Sequence, residues 1–337
     1  MLVAIIGVVV PFGLGVFIIG PLVFPTLPFI AHLFLGAALT ATSVGITARV
    51  FQDLGIGGSR ESQIVVNAAV IDDVLGLIIL AVVVGLAETG SISIVGIGII
   101  SFKAITFLFL SIFLGLKLAG PISRLFSAIS SGVGMKLTIA LAFAVGFAYL
   151  ATKVGLANIV GAYAAGLVLD HVHFTRFRRP RIAEDLESLS CCLQDDESKK
   201  KVNNLLNESC DRHVEDLITD VSYILTPLFF VFTGMAVKFS ALSDPKVWGI
   251  GAVVIIVAII GKIVSGLGAG PGVNKWLVGV GMVPRGEVGL IFATLGLSLG
   301  IVSPELFAII VLMVIVTTLC TPPVLGLLSK RSVKVQP

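Results

Sequence analysis

Long apolar runs fill most of the chain, and short polar stretches separate them. A helix needs about 20 apolar residues to cross a bilayer core of about 30 Å. Membrane-spanning strands would instead alternate over about ten residues, and no segment here does so. The pattern therefore predicts an all-α polytopic membrane protein with ten spans. They are residues 2–24, 29–50, 63–87, 93–116, 133–152, 155–170, 218–237, 247–269, 276–299 and 304–328.

Charges in the loops predict the orientation of these spans. Ten spans place both termini on one side of the membrane, and most of the 23 Lys and Arg residues fall in loops on that side. Only Lys153, Lys238 and Lys246 fall in loops on the other side. By the positive-inside rule, both termini are expected in the cytoplasm. The membrane itself is expected to be a plasma or inner membrane, or a thylakoid membrane.

The composition agrees with a lipid environment. Of the 337 residues, 56% are hydrophobic and 13% are charged, against about 25% charged in a soluble domain. A net charge of +3 without a basic arm predicts no nucleic-acid partner. Cys191, Cys192 and Cys210 are interpreted as unpaired thiols in a reducing cytoplasm. A zinc site that also uses His213 is the weaker alternative, because its spacing matches no closed site.

The longest polar stretch, residues 171–217, predicts a cytoplasmic segment. Loose helical spacing of its apolar positions in the second half predicts a surface helix there. His171 and His173 stand at the cytoplasmic end of the sixth run. Histidine titrates near physiological pH, so this pair is either a pH sensor or a pair of interfacial residues without a role.

Five ionisable residues fall deep inside apolar runs. Each costs roughly 2.5–3.5 kcal/mol near a helix centre, so together they imply pairing and a function. They are Asp72, Asp73, Lys262, Arg285 and Glu287.

Asp72 and Asp73 are adjacent on one predicted helix. Neighbouring positions of a helix differ by about 100°, so the two carboxylates cannot share one partner in one geometry. We expect Lys262 to be the counter-charge of one carboxylate, while the other faces a water-filled cavity. A buried ion network that only joins helices is the alternative interpretation.

Two spans are predicted to be broken. Residues 40–47 form a hydroxyl-rich patch with a glycine, and residues 281–287 contain a proline followed by two charges. Unwound backbone at membrane depth occurs where it lines a cavity, and it forms ion sites. The two spans are seven apart, so they have opposite orientation, as an inverted repeat requires. This offset leaves spans five to seven unpaired, which implies three further helices before Met1.

Five stretches carry a resemblance to a known family. They are TATSVGITARV at 40–50, AAVIDDVLGL at 68–77, IVGAYAAG at 159–166, LFFVFTG at 228–234 and MVPRGEVGLI at 282–291. At these residues the chain resembles the monovalent cation:proton antiporter-2 family. Within it, the chain is similar to cyanobacterial sodium/proton antiporters with a paired-aspartate motif.

The resemblance implies a homodimer in a lipid bilayer and four segments in each protomer. Residues 1–116 would hold the first core helices and a linking helix, and 117–170 the dimer-domain helices. Residues 171–217 would be the polar cytoplasmic segment. Residues 218–337 would hold the last dimer-domain helix and the second core repeat.

The resemblance also implies a role for each buried charge. Asp73 would bind the transported sodium or protons, and Asp72 would pair with Lys262.

It further implies supporting roles in the two broken helices. Thr42 and Ser43 would approach the ion, and Arg285 with Glu287 would hold the second broken helix.

The function implied is electrogenic exchange of sodium, lithium or potassium for protons, without a cofactor. A cation channel and an inactive truncated transporter fragment are the alternatives. An intramembrane aspartyl protease is disfavoured, because its carboxylates must face each other and adjacent residues on one helix diverge.

Overall fold

The computed structural model describes residues 1–89, 94–168, 196–237 and 245–333. All regular structure in these residues is helical, which confirms the predicted all-α architecture. The α-helices are α1 (Leu2–Gly13), α2 (Gly20–Val23), α3 (Phe29–Thr40), α4 (Val44–Asp53), α5 (Arg60–Thr89), α6 (Ile94–Ile129), α7 (Val133–Lys153), α8 (Asn158–Val168), α9 (Asp196–Met235), α10 (Pro245–Ile263), α11 (Lys275–Gly281), α12 (Glu287–Ser298) and α13 (Pro304–Val333).

Eight of the ten predicted spans are long and apolar enough to cross a membrane, judged by the length and composition of the described helices. The other two are shorter. The sixth forms α8 over 11 described residues, and the ninth is divided into α11 and α12. The predicted surface helix also differs, because it is continuous with the seventh span in the 40-residue helix α9.

One compact unit contains residues 1–101 and 230–337. Its first span is irregular, because a π-helical turn at Leu14–Ile19 joins α1 to α2. A Cβ atom on Gly15 would lie 2.7 Å from the Cα atom of Gly36 in α3. Only glycines permit this backbone contact, which is typical of close helix crossings in membranes.

The interior of this unit contains a cluster of small and β-branched residues. Val65, Ala68 and Ala69 of α5 pack against Leu277 and Val278 of α11. The short side chains on α5 therefore bring these two helices close together. A 3₁₀ turn at Val264–Ala269 follows α10 and contacts both α1 and α11.

The second compact unit contains residues 102–229. Its main contact is between α7 and α8. A Cβ atom on Gly161 of α8 would lie only 2.0 Å from the carbonyl oxygen of Phe147, so glycine is required there. Phe147 also stacks on Phe143 of the same helix, with ring centroids 5.8 Å apart.

Candidate ion-binding site

Asp72 lies on a buried face of α5, and its side chain is only 1% exposed. Its Oδ2 atom accepts hydrogen bonds from Lys262 Nζ at 2.7 Å and from Thr42 Oγ1 at 2.5 Å. Its Oδ1 atom has no hydrogen-bond partner among the described residues. The Oδ2 atom therefore accepts both hydrogen bonds, and the Oδ1 atom accepts none from the described residues.

Lys262 reaches Asp72 from the last turn of α10, and this is the ion pair that the sequence predicts. The Lys262 side chain is fully buried. A Cβ atom on Gly7 of α1 would lie 3.6 Å from the Lys262 Nζ atom, so α1 passes directly beside the ammonium group. An uncompensated buried cation would be costly, and the Asp72 carboxylate compensates this one.

Asp73 follows Asp72 but points in another direction, because successive side chains on a helix differ by about 100°. It is half-buried. It makes no hydrogen bond or salt bridge with any residue that the structure describes. Lys262 therefore compensates the charge of Asp72, and Asp73 is the carboxylate of the pair without a fixed cationic partner among the described residues.

Both predicted helix breaks are present. The first separates α3 from α4 at residues 41–43, where Ala41 and Ser43 have extended backbone ψ angles. The second separates α11 from α12 at residues 282–286. The hydroxyl-rich patch and the proline identified in the sequence coincide with these two breaks.

The two breaks cross and share hydrogen bonds. The Ser43 N–H donates to the carbonyl oxygen of Pro284 at 2.9 Å, and Thr47 Oγ1 donates to the carbonyl oxygen of Gly281 at 2.8 Å. Buried backbone groups that lose helical partners require others. Each broken helix therefore supplies partners that the other one lacks.

Arg285 is fully buried at the crossing and bonds to two neighbouring segments. One terminal nitrogen of its guanidinium group donates to the carbonyl oxygen of Ala41 at the end of α3. The other donates to the carbonyl oxygen of Ala258 in α10 at 3.2 Å. A cation is favourable at this position, because the C-terminal end of a helix carries partial negative charge.

Glu287, the other residue expected to hold the second broken helix, lies in a different environment from Arg285. Glu287 begins α12, its side chain is exposed, and it makes no hydrogen bond or ion pair with the described residues. An acid in the first turn stabilises a helix through the positive N-terminal end of the helix dipole. The structure thus places these neighbouring charges in different environments.

Ser43 is buried and contacts the other break through its neighbour Gly286. A Cβ atom on Gly286 would lie 2.7 Å from Ser43 Oγ and 2.8 Å from Ser43 Cβ. Any larger residue at 286 would push the two breaks apart. Thr42 precedes Ser43. Its Oγ1 atom lies 3.4 Å from the carbonyl oxygen of Met282 and makes a shorter hydrogen bond, at 2.5 Å, to Asp72 Oδ2.

Thr318 also bonds to the crossing, although the sequence pattern does not distinguish it from other threonines in the spans. It lies in α13, and its Oγ1 donates to the carbonyl oxygen of Arg285 at 2.5 Å. Ser and Thr hydroxyls in a helix can bond to a carbonyl one turn back in the same helix, as Thr317 does here. The only sequence signal was therefore a pair of threonines at membrane depth, without an indication of their partners.

We expect Thr318→Val to destabilise the crossing. Losing the hydroxyl leaves the Arg285 carbonyl without this donor, which costs about 1–3 kcal/mol for a buried group. Thermal melting of the purified protein in detergent measures the effect. Thr294→Val is a matched control, because the Thr294 hydroxyl bonds only within α12 to Leu290. Equal melting shifts for the two variants would contradict a role of Thr318 at the crossing.

Several other residues singled out in the sequence lie outside the part of the chain that the structure describes. They are His171, His173, Cys191 and Cys192, together with the side chains of Cys210 and His213.

The fold and site define a multi-pass integral membrane protein with two crossed, discontinuous helices around a buried aspartate-lysine pair. The sequence profile of the family described as "Sodium/hydrogen exchanger, transmembrane" matches residues 1–331. The chain belongs to this family.

Two characterised relatives are similar to most of the chain. The high-affinity Na⁺/H⁺ antiporter NhaS3 of Synechocystis sp. is 37% identical over 330 residues, which is 96% of this chain and 63% of the relative. The Na⁺/H⁺-K⁺ antiporter GerN of Bacillus cereus is 30% identical over 298 residues, which is 87% of this chain and 66% of the relative. The chain thus spans a little under two thirds of the length of these two relatives.

The fold also matches a solved structure. The sodium proton antiporter MjNhaP1 from Methanocaldococcus jannaschii superposes with a TM-score of 0.64 at 16% sequence identity. The superposition covers 97% of this chain and 77% of that one.

Proposed function

We propose that the protein exchanges sodium for protons across a membrane, with Asp73 as the binding carboxylate. The observation that carries this proposal is the division between two adjacent acids. Asp72 is held by Lys262, whereas Asp73 is half-buried and makes no bond with the described residues.

Competition at one carboxylate couples the two ions. An ionised carboxylate provides a hard oxygen ligand for sodium. A protonated carboxylate is neutral and releases the ion. Each binding event therefore excludes the other, and no cofactor is needed. Lithium or potassium would bind by the same chemistry, and the unpartnered Oδ1 atom of Asp72 and the hydroxyls of Thr42 and Ser43 are further oxygens near the crossing.

Alternating access would follow from motion of the core helices against the dimer-domain helices. In this proposal residues 117–170 and the span at 218–237 build the dimer domain of a homodimer. Both termini face the cytoplasm, since the loops on that side carry most of the Lys and Arg residues. A plasma, inner or thylakoid membrane would suit this arrangement.

Proton flux in proteoliposomes tests the proposed exchange. We expect an outward sodium gradient to acidify the lumen of vesicles that contain the purified chain, whereas protein-free vesicles should not respond. Sodium movement without any proton movement would favour a cation channel. Vesicles that move neither ion would contradict the proposal for this chain.

We expect the exchange to be electrogenic, with more than one proton for each sodium. Two acids and one lysine provide more titrating charge than a single sodium ion balances. Each net charge moved is worth about 2.3 kcal/mol per 100 mV, so a clamped potential should shift the end point of exchange. Asp72→Asn is the matched variant, because a single remaining acid should exchange one for one. An end point independent of potential in the wild type would make this assignment of charges wrong.

A further inference from the structure

Glu61 joins two helices that meet at the site, through a contact far from the site itself. Its Oε1 atom accepts a hydrogen bond from the backbone N–H of Asn274 at 3.0 Å, and the two residues are 213 positions apart in sequence. Glu61 lies in the first turn of α5. Asn274 is the N-cap of α11.

The backbone N–H group of Asn274, at the start of α11, needs an acceptor from another part of the chain. The Asn274 side chain already accepts from the N–H groups of Trp276 at 3.1 Å and Leu277 at 3.2 Å. Its own N–H group points away from the helix and donates to the Glu61 carboxylate. Hydrogen bonds to an ionised acceptor are about twice as strong as neutral ones. The carboxylate also lies at the positive N-terminal ends of both helices.

A polar contact complements the apolar packing between α5 and α11. Val65, Ala68 and Ala69 of α5 belong to one buried apolar cluster with Leu277 and Val278 of α11. Hydrophobic contacts are non-directional, whereas a hydrogen bond joins two defined atoms with a preferred distance and angle.

The contact closes a ring that includes the ion site. From Glu61, α5 runs about 16 Å to Asp72, at 1.5 Å per residue. Asp72 contacts Thr42, and Thr42 approaches the carbonyl of Met282, the first residue after α11. From there α11 leads back over about 12 Å to Asn274. The first part of α5 and the short helix α11 are thus joined at two places, with the site at one junction and Glu61 at the other.

We propose that Glu61 is a positioning residue that sets the register between the paired-aspartate helix and the half-helix α11, and so the geometry of the sodium site. This inference rests on the proposed function. Without the Glu61 contact, α11 loses this hydrogen bond to α5 at the end away from the site. We expect the backbone of the second break to shift relative to Asp72 and Asp73 as a result.

The test compares Glu61→Ala, Glu61→Gln and Glu305→Ala. Glutamine keeps an Oε1 acceptor. Glu305 also lies in the first turn of a span, α13, but it is exposed and has no bond to another described helix. We expect Glu61→Ala to raise the KM for sodium roughly three- to tenfold, the effect of losing about one hydrogen bond. Glu61→Gln and Glu305→Ala should stay within about twofold of the wild type by the same reasoning.

Amide hydrogen exchange measured by mass spectrometry gives a second readout that needs no transport. The peptide covering residues 270–281 should lose protection in Glu61→Ala and keep it in Glu61→Gln. Unchanged protection, or lost protection with an unchanged KM for sodium, would overturn the proposal. A wild-type protein without sodium-driven proton flux would instead contradict the proposed function, and the protection data would still decide whether the contact holds α11.

Discussion

The Asp73→Asn variant is expected to lose all sodium/proton exchange. An amide has the size and polarity of the carboxyl group, but it neither ionises nor releases a proton in the working pH range. Asp73 makes no bond with the described residues, so the substitution removes no visible structural contact. The loss should therefore appear in transport rather than in folding, and fluorescence assays of luminal pH in proteoliposomes measure it.

The control for this variant is Asp53→Asn. Asp53 is the exposed last residue of α4, in the same compact unit but outside the crossing. It should transport like the wild type, and both variants should melt within a few degrees of it. Sodium-driven proton transport by purified Asp73→Asn would exclude Asp73 as the binding carboxylate.

The second large effect is expected for the pair of Asp72 and Lys262. Both side chains are essentially inaccessible and lie 2.7 Å apart. Removing one partner strands the other as a buried charge, which costs about 3–5 kcal/mol. Asp72→Asn and Lys262→Met should each lower stability by this amount, and the double variant should lose less than their sum. Thermal or denaturant unfolding in detergent gives the three values.

These three variants form a double-mutant cycle, and a second cycle between residues that do not contact each other serves as its control. Lys262→Met combined with Asp53→Asn should be additive, because Asp53 is exposed and makes no bond to Lys262 or Asp72 among the described residues. Additive losses in the Asp72 cycle as well would show that the close approach of the two groups does not stabilise the fold.

Features with a high energetic cost were predictable from the sequence. A lysine and two aspartates in apolar runs require compensation, which predicts that Lys262 pairs with one of the two aspartates. The family resemblance implies that this aspartate is Asp72. A proline with polar neighbours at 281–287 predicts the second helix break. Both follow from chemistry that lipid does not tolerate.

Features that depend on partner choice were not predictable. Thr318 and its neighbour Thr317 have the same side chain, yet only one of them bonds to another helix. In the sequence, Glu61 is an ordinary acid in the first turn of a helix. Its hydrogen bond to the N-cap of α11 is visible only in the structure. Likewise, Arg285 and Glu287 are close in sequence, but Arg285 lies in the break and is buried, whereas Glu287 begins α12 and is exposed.

The separation of Asp72 and Lys262 along the chain has a consequence for biogenesis. They are 190 residues apart, so at ~5–20 residues per second the ribosome makes the lysine ~10–40 s after the aspartate. During this interval the nascent α5 has no counter-charge. The ion pair therefore forms only after Lys262 has entered the membrane, which makes the joining of α5 to α10 at the site a late step of biogenesis.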